Sequence, residues 1–149
     1  MSWRAITEDD VRSAISAAED RTFRQHQVAE GQTDPLLEII DQVTLDFREA
    51  IRSNSANQLD ATDGTLPRGS IRHAVAIIRH RLLTRFNVSE VTEARMAEYR
   101  EATRYLDAIA EGRRRIEQPD AGETAKAPLP GPAVNPRPAG WRREDQNGI

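Results

Sequence analysis

The 149-residue chain has no cysteine, which excludes a disulfide framework, a thiolate nucleophile and a zinc–thiolate centre. Lysine occurs once against twenty arginines, and arginine is the cation suited to planar pairing with carboxylates and phosphates. Aromatic residues make up only 5% and mean hydropathy is −0.68, so the core is modest for the length. No apolar run approaches the roughly 18 residues of a membrane span, and Met1 to Glu8 lacks the apolar centre of a signal peptide. A cytosolic origin is therefore expected. The formal net charge of −3 argues against a free-standing nucleic-acid binder, yet it hides a segregation: no Asp or Glu lies between Asp63 and Glu90.

That acid-free interval contains the stretch on which the chain is organised, Pro67 to Phe86. At about 100° per residue, Ile71, Val75, Ile78 and Leu82 fall on one stripe, the mark of a helix buried along one side. Arg68, Arg72 and Arg79 follow one shoulder, Arg81 and Arg85 the other, and His73, Ile77 and His80 the far side.

Three further helices are predicted. Thr7 is a good N-cap for a helix opening on Glu8, Asp9 and Asp10, with Val11, Ala14, Ile15 and Ala18 as its apolar stripe. Beyond Glu19 the pattern turns polar, and residues 21–33 read equally as helix or loop. Asp34 and Pro35 are cap and first residue of a helix to about Ser53, with Leu36, Ile40, Val43, Phe47 and Ile51 inward. Its outer face carries Glu38, Asp41, Asp46 and Glu49, which complement the basic helix either within the subunit or across a neighbour. Ser53 to Gly64 is a polar excursion, long enough to suggest a function or contacts outside its own chain. After a break at Asn87, Ser89 caps a helix from about Glu90 to Glu111, which Gly112 ends in the left-handed conformation. The fold class expected is all-α: a small bundle of about four helices with a long polar loop.

A domain of residues 1–115 is followed by an extended arm of residues 116–149, where six of the eight prolines lie and where Trp141, Arg142 and Arg143 look like an anchor for a partner. Arg113, Arg114 and Arg115 suit a helix C-terminus and also a docking contact. No catalytic chemistry, cofactor or metal is expected. His73 and His80 are seven residues apart, roughly 10 Å along a helix and too far for one metal, and no P-loop, dinucleotide turn or nucleophile elbow occurs.

The order of features resembles a known family. Ala5-Ile6-Thr7-Glu8-Asp9-Asp10-Val11, the helix ending Glu49-Ala50-Ile51, the polar loop into Leu66-Pro67, the helix Ile71 to Leu83 and the closing run Ala97 to Gly112 are similar to the small head-tail connector, or adaptor, proteins of tailed phages, nearest the Mu-like prophage family. The resemblance spans residues 5 to 112. The family's Tyr-Leu and Arg-Tyr pairs after the second helix are missing from Arg52 to Thr65. It implies a subunit of a ring, a dodecamer in the family, sited in the virion under the portal protein. There it extends the channel for double-stranded DNA and receives a tail-side connector or stopper.

A head-to-tail ring needs two complementary surfaces. Arg81 and Arg85 with Glu38, Asp41 and Asp46 are expected at the subunit contact. Arg68, Arg72 and Arg79 are expected to face the channel or a partner, and Arg113, Arg114, Arg115, Trp141, Arg142 and Arg143 to dock the arm on the portal. No membrane partner is implied. The alternative is a small helical DNA-binding regulator or packaging-recognition subunit with the Arg68 to Arg85 helix in a major groove, against which stands the long loop where a short turn belongs.

Overall fold

The computed structural model describes residues 3–25, 33–87 and 90–120. It is all-α apart from one two-stranded ribbon. The elements are β1 (Trp3–Ala5), α1 (Glu8–Arg12), α2 (Ala17–Gln25), α3 (Pro35–Ser53), β2 (Thr65–Pro67), α4 (Arg68–Phe86) and α5 (Glu93–Ala110). No described helix is long and apolar enough to cross a membrane.

Local signals fix most of these boundaries. Thr7 and Asp10 form a reciprocal capping box, Asp34 caps α3 with Pro35 behind it, and the Thr92 side chain caps α5. The cap of α5 is thus Thr92 rather than Ser89, which lies outside the described residues. At the other end of α5, Gly112 takes φ +72° and its N–H donates to the Ile109 carbonyl at 3.0 Å, closing the helix in the left-handed turn expected. The first helix is the main departure. The stripe through Val11, Ala14, Ile15 and Ala18 suggested one helix, but the chain turns at Ser13 and restarts at Ala17. Ser16 and Glu19 form a second capping box: the Ser16 N–H donates to Glu19 Oε2 at 2.8 Å, and the Glu19 N–H to Ser16 Oγ at 3.2 Å.

Helix α4 sits at the centre, in contact with α3, α5, α1 and β2. The stripe Ile71, Val75, Ile78 and Leu82 is buried as the spacing predicts, but so are His73 and Ile77 on the side expected to be free. Burial on two faces is possible because α5 brings Tyr99, Ala102 and Tyr105 against that side. His73 stacks on Tyr105 with ring centroids 4.0 Å apart, and His80 on Tyr99 at 3.8 Å. Val43, Phe47 and Ile51 of α3 close the core from the other flank, with Val11, Leu66 and Ile109.

The ribbon pairs β1 antiparallel to β2, with Trp3 opposite Pro67 and Ala5 opposite Thr65. It lays the N-terminal segment over the entrance to α4 and buries Trp3 and Leu66. The packed body also continues past Arg115. Ile116 is buried, the Trp3 indole Nε1 donates to the Glu117 carbonyl at 3.0 Å, and the Gln58 N–H donates to Gln118 Oε1 at 2.9 Å.

The excursion between α3 and β2 is held from inside the chain. Arg48 of α3, a cation beside Phe47 and Glu49, points inward and is only 8% exposed. Its guanidinium donates to the carbonyls of Thr65 at 3.0 Å, Asp60 at 3.2 Å and Thr62 at 3.3 Å, and to Asp63 Oδ1 at 3.3 Å. One planar cation replaces the secondary structure that the loop lacks.

Candidate functional site

The charged residues singled out by sequence divide into those the body uses internally and those left facing outward. Arg81 pairs with Asp46 at 2.7 Å and Arg85 with Glu38 at 3.2 Å, both between α4 and α3 of one chain. The complementarity of these two helices is thus satisfied within the subunit. Asp41, on the same outer face of α3, is exposed and has no hydrogen-bond or ion-pair partner among the described residues. On either side of it stand Leu37 and Leu45, which are 47% and 53% exposed and are the large apolar residues that the described body leaves open.

On the opposite flank of α4 lies a groove of ≈ 460 Å³ between β1, α1, α4 and α5. Ala14, Ile71, Val75 and Ala76 give it an apolar floor, and Arg4, Arg68, Arg72 and Arg79 its rim. The structure therefore brings together the three arginines of one sequence shoulder and adds Arg4, for which the sequence offered no signal beyond a cation in a short N-terminal segment.

The four rim arginines are not equivalent. Arg4 is gripped by Asp10 through two hydrogen bonds of 2.7 and 2.9 Å. With the Thr7 bonds, this holds the Asp10 carboxyl well below the usual carboxylate range. Arg79, expected to face a channel or partner, is instead enclosed, with a side chain 12% exposed that pairs with Glu98 and donates to the Ala14 carbonyl at 3.2 Å. Arg72 is open, with a loose 3.7 Å approach to Glu101 and a bond from Nε to His73 Nε2. Arg68 is exposed with no partner among the described residues. Arg68 and Arg72 are thus the rim cations available to a second molecule.

Past α5, Arg113 pairs with Glu111, Arg114 lies 4.6 Å over the Tyr105 ring, and Arg115 is exposed. Tyr105 is clasped between His73 and Arg114, and its hydroxyl lies 3.1 Å from Ser70 Oγ. Trp141, Arg142 and Arg143 lie outside the described residues. A third feature is a cavity of ≈ 320 Å³ between α3 and α4, lined by Ile39, Gln42, His80, Arg81, Thr84 and Arg85. Among the described residues no cluster of three or more His, Asp or Glu is arranged to hold a metal ion.

The seam between α4 and α5 carries a pH dependence. Burial lowers both imidazoles below their ordinary value of 6.5; at His73, Arg72 and Arg114 add to the effect and Glu101 opposes it. The folded state then binds fewer protons than the unfolded one once pH drops below that value. Stability is complete above it and falls as pH drops toward the folded-state pKa values. The melting temperature is expected to decline between about pH 7 and 5, and His73→Phe, which keeps the stack without the proton, should flatten that decline. Differential scanning calorimetry across this range reads the slope; an equal slope in the variant would remove His73 as a source.

Helix α4 packs against α3, α5, α1 and β2 while Arg68, Gly69, Arg72, Thr84 and Arg85 stay exposed at its two ends. Fold and surface together define a small all-α body built round one central helix, with unspent charge on two opposite flanks. The chain belongs to the bacteriophage Mu Gp36 family, whose model matches residues 5–132. It is accordingly a Mu-like phage protein of the structural or morphogenetic class. Neither the curated proteins nor the solved structures provide a match.

Proposed function

We propose that the chain is a head-tail connector subunit, assembling as a ring beneath the portal of a phage particle, where it extends the DNA channel and receives the next tail-side component. The observation that carries this is the family match, which covers the described body from Ala5 onward and runs on beyond Asp120 into the proline-rich segment. A connector needs a rigid module with lateral contacts and a reach toward the portal. The bundle, with its loop clamped by Arg48 and its helices braced by ion pairs, supports the first, and the segment ending in Trp141, Arg142 and Arg143 supports the second. The role is structural and non-catalytic, and the ring is twelvefold as in connectors of this kind.

Light scattering on the full chain, with and without the cognate portal at two salt concentrations, tests the reading. A defined ring that forms with the portal, and fails to form with a chain ending after Asp120, is the expected result. That end point keeps the packed Ile116 and Gln118 in place. A full chain that remains monomeric or dimeric whether or not the portal is present overturns it.

A further inference from the structure

We infer that the outer face of α3, presenting Leu37, Asp41 and Leu45, seats in the Arg68 and Arg72 groove of a second copy of this chain, forming the lateral contact of the assembly. The inference rests on the ring reading and assigns it two surfaces that differ from the pair expected from sequence. Arg81 and Arg85 are already committed to Asp46 and Glu38 of their own chain, so they are not the cations a neighbour would find free.

Three observations converge on the residues that remain. First, opposite charges stand open on two separate surfaces: Asp41 is unpaired on α3, and on the groove rim Arg68 is exposed and Arg72 only loosely approached by Glu101. Second, each side pairs its charge with apolar surface of complementary form. Leu37 and Leu45 lie two turns apart on a helix ridge, about 12 Å, with Asp41 between them. The groove offers Ala14, Ile71, Val75 and Ala76 as floor between its arginines. Third, the surfaces lie on opposite flanks. Arg81 and Arg85, which mark the α3 side of α4, stand about 140° round the helix from Arg68 and Arg72 at 100° per residue. Two different patches on opposite flanks make a heterologous, head-to-tail contact, the kind that closes into rings; a patch that matched itself would stop at a dimer. Like charges face each other if α3 meets α3 or groove meets groove, which selects the mixed pairing.

The absence of cysteine gives a clean test, because a pair introduced at Leu45 and Arg68 reports on that contact alone. Under mild oxidation the full-length L45C/R68C variant is expected to give a ladder of covalent multimers. An equal mixture of L45C and R68C should stop at dimers, and each alone should give none. In the cysteine-pair background, D41R and R72E should each reduce the ladder at least tenfold, and the two together should restore it, since the opposite charges are then exchanged. Self-linking of either single-cysteine chain, or no ladder while light scattering on the unoxidised sample shows multimers, overturns this pairing and leaves the ring standing. A chain that stays monomeric with and without the portal, and gives no ladder, overturns the ring reading and this contact with it.

Discussion

Replacing Arg48 by alanine is expected to destabilise the protein by about 3 kcal/mol, a large share of the 5–15 kcal/mol that holds a domain of this size. The guanidinium gathers three carbonyls from Asp60, Thr62 and Thr65, with the Asp63 carboxylate at its edge. Hydrogen bonds to a charged group are worth about 1.5–3 kcal/mol each but are not additive, and carbonyls released to solvent recover part of the loss from water. The Asp63 carboxylate is fully exposed and adds little. What is lost is the device that sets the path from α3 into β2, so Leu66, completely buried, loses its fixed approach to the core. In urea the midpoint should fall by about 2 M for a slope near 1.5 kcal/mol/M. Arg48→Lys should recover only a small part, because a single ammonium cannot span carbonyls that a planar five-donor fork reaches together. A midpoint within experimental error of the parent would show that the loop keeps its course without the clamp.

Loss of the Glu19 carboxylate in Glu19→Ala is expected to cost about 2–3 kcal/mol, concentrated in one helix. Glu19 is buried and engages both terminal nitrogens of Arg95, the second of them at 3.1 Å, in a two-pronged pair that ties α2 to the first turns of α5. The pair also raises the Arg95 pKa above its ordinary value, the signature of a cation stabilised by its partner. Removing the acid leaves the half-enclosed Arg95 with only the more distant charge of Glu98 and also removes the capping box that starts α2. The amides of Ala17 to Gln25 should therefore lose most of their hydrogen-exchange protection while those of α3 to α5 keep theirs. Arg95→Ala, which leaves the capping box in place, should do the same to a lesser degree, and the double variant should be little worse than Glu19→Ala alone. Equal loss of protection in every helix would mean that α2 is integral to the core instead of tied to it.

What the sequence disclosed and what it concealed follow from the range of each interaction. Asp34 before Pro35, Thr7 with Asp10, and Gly112 after a helical run act within four residues, and each marks its boundary where the structure has it. Ser16 and Glu19 carry the same kind of local signal, but the apolar spacing through Ala14, Ile15 and Ala18 runs across it and masks the break. Three-residue strands are too short to show alternation, so the pairing of Trp3 with Pro67 leaves no trace in either segment. Arg48 follows Phe47 and lies one turn from Thr44 and Ile51, so its place among the buried positions of α3 is legible afterwards. Its partners, twelve to seventeen residues further on, are not. The acidic face of α3 and the basic α4 were recognisable as complementary, but whether Arg81 meets its own Asp46 or a neighbour's depends on how two helices cross. Similarly, His73 and His80 looked free because the tyrosines that cover them come from another helix.

The Trp3 to Glu117 hydrogen bond joins residues more than a hundred positions apart, and its consequence is mechanical. Tension applied along the chain beyond Asp120 does not meet α5 first. It meets Ile116 in the core, Gln118 against Asn57 and Gln58, and the indole of Trp3, which is itself laced to β2 and so to the entrance of α4. Load entering at that corner is shared among three stretches of chain that are remote in sequence. The body resists such a pull as a block, and α5 is spared from being unwound a turn at a time from its own C-terminus.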